Sequence, residues 1–317
     1  MEFSKILILG PANSGGVKEV NDSLYNGFRK LNKEVIYLNT KSDIIKFVFK
    51  TKNKKHILCI SSLSFGFFGL FFKYSIFIIH GYPYARYLNK INFRLNVLGH
   101  KLFSYLNRKT VSVSYLTKFV WENFLFLKID EVIHNPETTI NTKSNNEKII
   151  KELNSIVFTG RIVATKNLNL ILEAVDDYRK LNDSNLKFNI IGDGPELSNF
   201  IQKYSNPNNI FYGYVSHQDK VDIMCRSNLF ISLNEGEPFG LTSLEARLLN
   251  LKCVLPAIGG HVEFVDKQSL FLVNDIYSKN EIIEKIHEAL NSKSDSGEFK
   301  NRFESSVIAQ KYLDCIK

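Results

Sequence analysis

The 317-residue sequence predicts an α/β protein made of two doubly wound domains, each built on a parallel sheet. The length suits about two domains of roughly 150 residues. Short apolar runs alternate with stretches of helical spacing in the first half, and the alternation starts again in the second half. With 44% apolar and 23% charged residues, the composition is that of a globular protein that can bury a core.

The first half begins with the pattern of a βαβ unit. Residues 5–9 form an apolar run, residues 10–16 are a glycine-containing loop, and residues 17–31 carry apolar side chains at helical spacing. A second apolar run follows at residues 34–38, so these segments predict two parallel strands joined by a helix. Further strands are predicted over residues 56–61, 75–79 and 110–114, with a last strand and turn over residues 131–136.

A polar segment, residues 138–147, has the composition of a linker and predicts the domain boundary. The predicted domains are therefore residues 1–147 and residues 148–317. In the second, strands are predicted over residues 155–159, 187–191, 210–212, 229–233 and 253–256. Helices are predicted between them, over residues 167–178, 195–204, 218–225 and 241–249.

The cysteine pattern and the amino terminus favour a cytoplasmic protein with reduced thiols. Four cysteines are present, at Cys59, Cys225, Cys253 and Cys315. They are too far apart for a zinc site and too few for a disulfide framework. The first residues lead directly into a strand, unlike a secretory signal. Residues 63–79 imitate a membrane span, but Lys73 lies inside them, so a loop or short helix followed by a buried strand is predicted.

The net charge of +9 is unevenly distributed. Residues 1–150 carry 22 Lys and Arg against 10 Asp and Glu, whereas residues 151–317 carry 19 against 22. No acidic residue occurs between Asp43 and Glu122, a stretch that contains 13 Lys and Arg. A field of one sign over half a protein predicts an anionic partner. Nucleic acid, anionic lipid and a diphosphate-bearing acceptor all qualify, and a solvated basic surface is the alternative.

Candidate binding residues follow the predicted strands of the second half, where ligands bind in open parallel sheets. Arg161 follows the first strand and Lys166 precedes a helix, so the pair can hold a diphosphate, although surface charges are the simpler explanation. Gly192 follows a later strand, where a glycine lets the backbone approach a ligand.

Residues 234–246 are the most specific segment. Glu237 lies in a turn that contains Pro238 and Gly240, and Glu245 lies one turn into the helix that follows. The first amides of that helix can bind a phosphate or a sugar hydroxyl, and Glu245 can accept hydrogen bonds from a ribose. Acidic residues also favour a helix start through the macrodipole, which explains either glutamate but not their combination with the turn at residues 238–241.

In their order along the chain, these segments resemble family-4 glycosyltransferases, which belong to the group 1 glycosyl transferases. The resemblance rests on Phe158-Thr159-Gly160-Arg161 with Lys166-Asn167, Ile191-Gly192-Asp193-Gly194-Pro195, Gly213-Tyr214-Val215-Ser216 and Glu237-Pro238-Phe239-Gly240-Leu241 with Leu244-Glu245-Ala246. Asn13–Val17 and His80-Gly81 are weaker matches in the first half. Asn250 departs from the family, which usually has a glycine there.

The resemblance implies the GT-B fold, in which two Rossmann-like domains face each other across a cleft. It implies an acceptor-binding domain at residues 1–147 and a donor-binding domain at residues 148–317, and it allows the last helix to pack back on the first domain. Arg161 and Lys166 would hold the donor diphosphate and Glu245 the ribose. Glu237, with the backbone of Phe239, Gly240 and Leu241, would face the transferred sugar. Gly192, Tyr214 and Val215 would line the donor site, Gly15 and Gly16 would close over the phosphates, and His80 would line the reaction centre.

The implied activity is retaining transfer of a sugar from a nucleotide-diphosphate sugar, with UDP ranked first, to a glycan or lipid-linked acceptor in bacterial surface polysaccharide synthesis. The sequence contains no pair of aspartates that stands out as a metal site, so we expect no metal and no other cofactor. We also expect no nucleic acid partner. The basic half makes an anionic membrane surface a further partner to test and allows peripheral attachment to the inner face of the cell membrane. A nucleotide-sugar 2-epimerase of the same fold and a non-catalytic partner subunit remain the alternatives.

Overall fold

The computed structural model describes residues 3–13, 15–83, 89–138, 154–182, 184–234, 236–264, 269–292 and 300–316. The chain divides into two compact units. Unit 1 comprises Met1–Thr139 and Lys300–Lys317, and unit 2 comprises Ile140–Phe299. The boundary predicted after residue 147, and most of the predicted linker, lie among residues 139–153, outside the described residues, so that boundary stays a prediction.

Unit 1 is built on a six-stranded parallel sheet. Its strands are β1 (Lys5–Leu9), β2 (Glu34–Leu38), β3 (Ile57–Ser61), β4 (Tyr74–Ile79), β5 (Lys109–Ser112) and β6 (Glu131–Val132), in the order β2-β1-β3-β4-β5-β6. The helices are α1 (Gly16–Lys30), α2 (Lys41–Lys50), α3 (Lys90–Leu106) and α4 (Tyr115–Asn123). Strands β3 and β4 are buried along their whole length, because helices cover both faces of a parallel sheet.

The segment that imitates a membrane span forms a 3-10 helix, Leu63–Phe71, followed by β4. Five aromatic side chains of the whole segment are buried in the core: Phe65, Phe68, Phe72, Tyr74 and Phe77. Among the helices of the described residues, none has both the length and the apolar character needed to cross a membrane.

Unit 2 is a second six-stranded parallel sheet. Its strands are β7 (Ser155–Thr159), β8 (Lys187–Ile191), β9 (Asn209–Gly213), β10 (Leu229–Ile231), β11 (Lys252–Pro256) and β12 (Leu270–Val273), in the order β12-β11-β10-β7-β8-β9. The helices are α5 (Leu168–Leu181), α6 (Leu197–Tyr204), α7 (His217–Arg226), α8 (Leu241–Leu248) and α9 (Lys279–Asn291). The two Rossmann-like sheets confirm the predicted fold class. The strand order reverses between β7 and β10, which makes that junction the topological switch point of the unit.

The last helix, α10 (Ser305–Cys315), belongs to unit 1 and packs against α1. The helices meet so closely at Gly27 that a Cβ atom there would lie 2.1 Å from the carbonyl oxygen of Ser305. Lys30 forms an ion pair with Glu304 at 3.3 Å next to this contact. Ile308 in α10 is completely buried. Residues 300–316 are therefore an integral part of the first unit.

We predict that Gly27→Ala destabilises the protein, because the backbone of α10 leaves no space for a methyl group. Overpacking of this kind costs about 1–3 kcal/mol. Gly99→Ala in α3 is the matched control, because an added Cβ there would lie no closer than 3.6 Å to its neighbours; better helix propensity should stabilise it by up to about 1 kcal/mol. Urea unfolding measures both changes. Equal midpoints for the two variants would contradict the α1–α10 contact.

Candidate active site

Loops at the carboxyl ends of the unit 2 strands are joined by hydrogen bonds into a continuous row. The Gly192 amide after β8 donates to the Gly213 carbonyl at the end of β9, at 2.9 Å. The Ile162 amide after β7 donates to the Asp193 carbonyl after β8, also at 2.9 Å. We call this row the strand-end rim and define it as residues 160–167, 192–196, 213–216, 234, 236–240 and 257–261.

An ion pair between Lys166 and Glu237 lies at the switch point, because Lys166 follows β7 and Glu237 follows β10. The Lys166 Nζ to Glu237 Oε2 distance is 2.9 Å, and both side chains are largely buried. The Asn234 Nδ2 donates to the same Oε2 at 2.6 Å. Asn167, which adopts a left-handed conformation at φ 51°, donates its Nδ2 to the Leu233 carbonyl at 2.8 Å. Two independent contacts therefore fasten the β7 loop to the β10 loop.

Glu237 is held as a carboxylate. Burial raises the pKa of Glu237, but the Lys166 ammonium, the Asn234 amide and the nearby His261 outweigh it, so the pKa lies below its usual value. The Glu237 carbonyl also accepts a 2.7 Å hydrogen bond from the Gly260 amide, which attaches the β11 loop. At neutral pH Glu237 is therefore an ionised hydrogen-bond acceptor at the centre of the strand-end rim.

The turn after Glu237 directs backbone amides out of the start of α8. Gly240 precedes the helix with φ 96°, a left-handed conformation that a side chain would strain, and a Cβ there would lie 3.1 Å from the Cβ of His261. The Phe239 ring is buried against Phe264, with ring centroids 4.7 Å apart, and anchors the turn. The first amides of α8, from Leu241 onward, lack intrahelical partners and can bind an anion.

Glu245 is buried in α8 and contacts a lysine that sequence reasoning missed. Lys220 in α7 places its Nζ 2.8 and 2.9 Å from the two carboxylate oxygens of Glu245. Only 2% of Glu245 is exposed, so this pair fixes the orientation of the carboxylate. The ribose role of Glu245 stays a prediction; a ribose would have to share Glu245 with Lys220.

Arg161 is exposed, and its side chain forms no hydrogen bond or ion pair with another described residue. Next to Arg161, the loops after β7 and β8 are tightly packed against each other: a Cβ atom at Gly192 would lie 1.9 Å from the carbonyl oxygen of Gly160. Tyr214 is 79% exposed and Val215 is half-buried; they follow β9, which β8 separates from β7. The structure thus brings Lys166, Glu237 and the start of α8 together, and places Tyr214 and Val215 at the far end of the same rim.

Unit 1 has its own crevice at the carboxyl ends of β1, β3 and β4, a cavity of about 370 Å³. It lies where the strand order reverses between β1 and β3. Its lining consists of Pro11, Val17, Ser62, Leu63, Ser64, Ile78, His80, Gly81, Tyr82, Pro83, Asn96 and His100. Gly15 and Gly16, at the start of α1, are exposed and are not part of the lining.

His80 carries an enclosed polar atom without a partner. Its Nε2 is shielded from solvent and has no hydrogen-bond partner among the described residues. Burial, and then the neighbouring His100, lowers the pKa of His80 to about 4, so the imidazole is neutral at physiological pH. The His100 ring contacts Trp121 in a tilted arrangement, with ring centroids 4.5 Å apart, and Trp121 Nε1 donates to the Gly81 carbonyl at 2.8 Å, which fixes the turn after His80. Because His80 lines the cavity, its imidazole is a candidate contact for a ligand there.

Within the described ranges, no group of three or more His, Cys, Asp or Glu side chains is arranged to hold a metal ion. The expectation that the chain works without a metal stays a prediction.

We predict that His80 makes stability depend on acid. Because its pKa is about 4 in the folded state and 6.5 in its ordinary state, the unfolded chain binds an extra proton between these values. The neutral imidazole therefore contributes its full share of the free energy of unfolding above about pH 6.5, and this share is lost as the pH falls toward 4. As the pH falls from 6.5 to 4.5, the free energy of unfolding should therefore decrease by about 2 kcal/mol more in wild type than in His80→Gln. Urea unfolding at each pH measures it, with the exposed His287→Gln as control. Equal losses in wild type and His80→Gln would contradict the enclosed imidazole.

The sequence profile described as "Glycosyl transferases group 1" matches residues 139–306, more than half of the chain. The chain is also similar to a curated protein, the "Phosphatidylinositol N-acetylglucosaminyltransferase GPI3 subunit" of Saccharomyces cerevisiae (strain YJM789). The two are 22% identical over 160 residues, which is 49% of this chain and 34% of that protein. The matched region thus spans about a third of that relative's length.

Solved structures share the fold over nearly the whole chain. Anabaena Alr3699/HepE, in complex with UDP and glucose, superposes with a TM-score of 0.73 at 15% identity and covers 98% of both chains. Sucrose-phosphate synthase (tll1590) from Thermosynechococcus elongatus superposes with a TM-score of 0.67 at 13% identity, covering 99% of this chain and 95% of that one. At these identities the similarity establishes the two-domain fold alone.

Proposed function

Because the chain belongs to the glycosyl transferases group 1 family, we propose that it transfers a sugar from a nucleotide-diphosphate sugar to a glycan or lipid-linked acceptor. The observation that carries this proposal is the strand-end rim, where a cation, a carboxylate and the start of a helix meet at the switch point. That is where open parallel sheets bind nucleotides. The UDP bound by Anabaena Alr3699/HepE supports uridine diphosphate as the donor nucleotide.

The donor diphosphate would contact Arg161, Lys166 and the first amides of α8. Cleavage of the bond between sugar and diphosphate develops negative charge on the leaving group. Cations and amides that are already in position stabilise that charge more in the transition state than in the ground state. Arg161 is exposed and available, whereas Lys166 is held by Glu237 at 2.9 Å, so the diphosphate would compete for the Lys166 ammonium.

Glu237 would accept hydrogen bonds from hydroxyls of the transferred sugar. Its lowered pKa keeps it ionised, which suits an acceptor and a source of electrostatic stabilisation rather than a general acid. We further propose a retaining reaction of the family-4 type, in which the donor phosphate itself takes the proton of the acceptor hydroxyl. The proposed activity therefore requires neither a nucleophilic side chain nor a metal ion.

We assign the acceptor to the unit 1 cavity. Its volume of about 370 Å³ suits a sugar-sized ligand, and the neutral His80 imidazole is part of its lining. The sequence resemblance supports a bacterial surface polysaccharide, or its lipid-linked precursor, as the acceptor class. Gly15 and Gly16 would approach the donor phosphates from the start of α1, as that resemblance implies.

We predict that Arg161→Ala and Lys166→Met each lower turnover of the UDP-sugar by about 10²–10³-fold, because each removes a charge that stabilises the leaving group. Glu245→Gln should mainly raise the donor KM, since ribose binding is the same in ground and transition states. Without an acceptor, hydrolysis of a UDP-sugar releases UDP slowly. The rate of that release at different concentrations of candidate UDP-sugars measures both effects. Lys180→Met is the matched control, because Lys180 is exposed on α5, away from the strand-end rim.

Activities within twofold of wild type in both cation variants would contradict the assigned site. An epimerised nucleotide sugar, formed without release of UDP, would indicate the epimerase alternative instead. A protein that neither binds UDP in a thermal-shift assay nor releases it would favour a non-catalytic subunit.

A further inference from the structure

We propose that the outward face of α3 docks on an anionic membrane surface. Five large apolar side chains on this helix are between 49% and 88% exposed. We call them the α3 stripe: Ile91, Leu95, Leu98, Leu102 and Tyr105. A contiguous exposed apolar surface on a soluble protein commonly marks a site that contacts a membrane or another protein. The proposal does not depend on the proposed sugar transfer.

Helix geometry places these side chains in one line. Their spacing of four, three, four and three residues keeps them within an arc of about 80° on an α-helix. The stripe extends over about 21 Å of the helix axis. The opposite face carries His100, which is 8% exposed and packs against Phe77 and Trp121. The α3 stripe therefore points away from the sheet.

Basic side chains follow one edge of the stripe. Lys90, Arg94 and Lys101 lie about 60–100° to the same side of its centre, and the first two are exposed. The helix contains no acidic residue, and none occurs anywhere between Asp43 and Glu122. An apolar stripe with a cationic edge is the arrangement of a helix that lies in the plane of a membrane interface. Anionic lipid headgroups complement that charge.

The apolar surface continues onto neighbouring connections. Four crossovers run in the same direction across the sheet: β2 to β3, β3 to β4, β4 to β5 and β5 to β6. Because crossovers between parallel strands are right-handed, all four lie on the same face of the sheet. Fourteen of the 22 large apolar side chains that are exposed in the described residues lie in these segments, between Ile45 and Phe126, which concentrates the apolar surface on this face. Phe126 is 79% exposed and has φ 53°, a conformation that is rare for a bulky residue.

Charge favours a membrane over a second copy of the chain. A symmetric antiparallel contact through the α3 stripe would bring Lys90, Arg94 and Lys101 of one copy toward the same cations of the other. Like charges at a desolvating interface repel, whereas a bilayer with anionic headgroups contacts the apolar stripe and the cationic edge at once. The occupant that matches both properties of the surface is therefore an anionic bilayer.

Co-sedimentation of the full chain with vesicles tests the proposal. We expect the protein to bind vesicles of equal parts phosphatidylglycerol and phosphatidylcholine at least tenfold more tightly than pure phosphatidylcholine. Added salt should weaken this binding, because mobile ions screen exposed charges. A Tyr105→Trp variant reports the contact directly: its emission should shift to the blue on anionic vesicles and be quenched by brominated lipids.

Two sets of substitutions separate the apolar and charged contributions. The triple variant Leu95→Ser, Leu98→Ser, Leu102→Ser should bind anionic vesicles at least tenfold more weakly than wild type, and Arg94→Gln with Lys101→Gln should bind severalfold more weakly and respond less to salt. Leu181→Ser with Tyr277→Ser removes exposed apolar side chains from unit 2 and should bind like wild type. The single tryptophan, Trp121, is buried beside α3, so its unchanged emission verifies that each variant remains folded.

Failure of wild type to bind either kind of vesicle would overturn the proposal, as would anionic binding that survives the triple serine variant. Equal binding to neutral and anionic vesicles would overturn the role of the cationic edge. A dimer that the serine substitutions dissociate, without any vesicle binding, would identify the surface as a protein interface instead. The increase in melting temperature that UDP causes should persist in every variant. Its persistence would show that a loss of vesicle binding leaves the proposed donor site intact.

Discussion

The ion pair between Lys166 and Glu237 is the contact on which the candidate donor site depends. At the point where the sheet order reverses, the loops after β7 and β10 are adjacent, and this pair joins them at 2.9 Å. Asn234 and Asn167 strengthen the same junction. The Lys166 ammonium lowers the pKa of Glu237, and the turn that contains Glu237 leads into α8 and accepts a hydrogen bond from the β11 loop. The cation that we propose for the donor diphosphate is thereby held next to the carboxylate that we propose for the transferred sugar.

Strands were predicted better than helices, for a physical reason. A parallel sheet that is covered on both faces produces continuous apolar runs, and β1, β2, β7 and β8 begin and end where the sequence predicts. Helices α2, α3, α4 and α9 were missed, and α10 was expected only as a last helix without bounds. In α3 apolar side chains lie on both faces, because Val97 and Phe103 pack against the core while Leu95, Leu98 and Leu102 are exposed. With apolar residues on both sides, the sequence pattern does not indicate which face of the helix is buried.

Site residues close to strand ends could be predicted, whereas their distant partners could not. Glu237 and Lys166 follow neighbouring parallel strands, so the fold class alone brings them to one edge. Lys220 contacts Glu245 from another helix, 25 residues away, with no periodicity to reveal it. Trp121 supports the turn after His80 through a hydrogen bond across 40 residues. The charge asymmetry was visible in the sequence, but only the structure locates the exposed apolar stripe beside it.

Hydrogen exchange with and without UDP tests the donor-site assignment most directly, because it locates the nucleotide without an acceptor. UDP should slow amide exchange at residues 160–167 and at residues 238–245, where the strand-end rim and the first turn of α8 offer donors. Residues 90–106 of α3 should exchange at the same rate with and without it. Protection confined to unit 1, or absent from both rim segments under saturating UDP, would contradict the account.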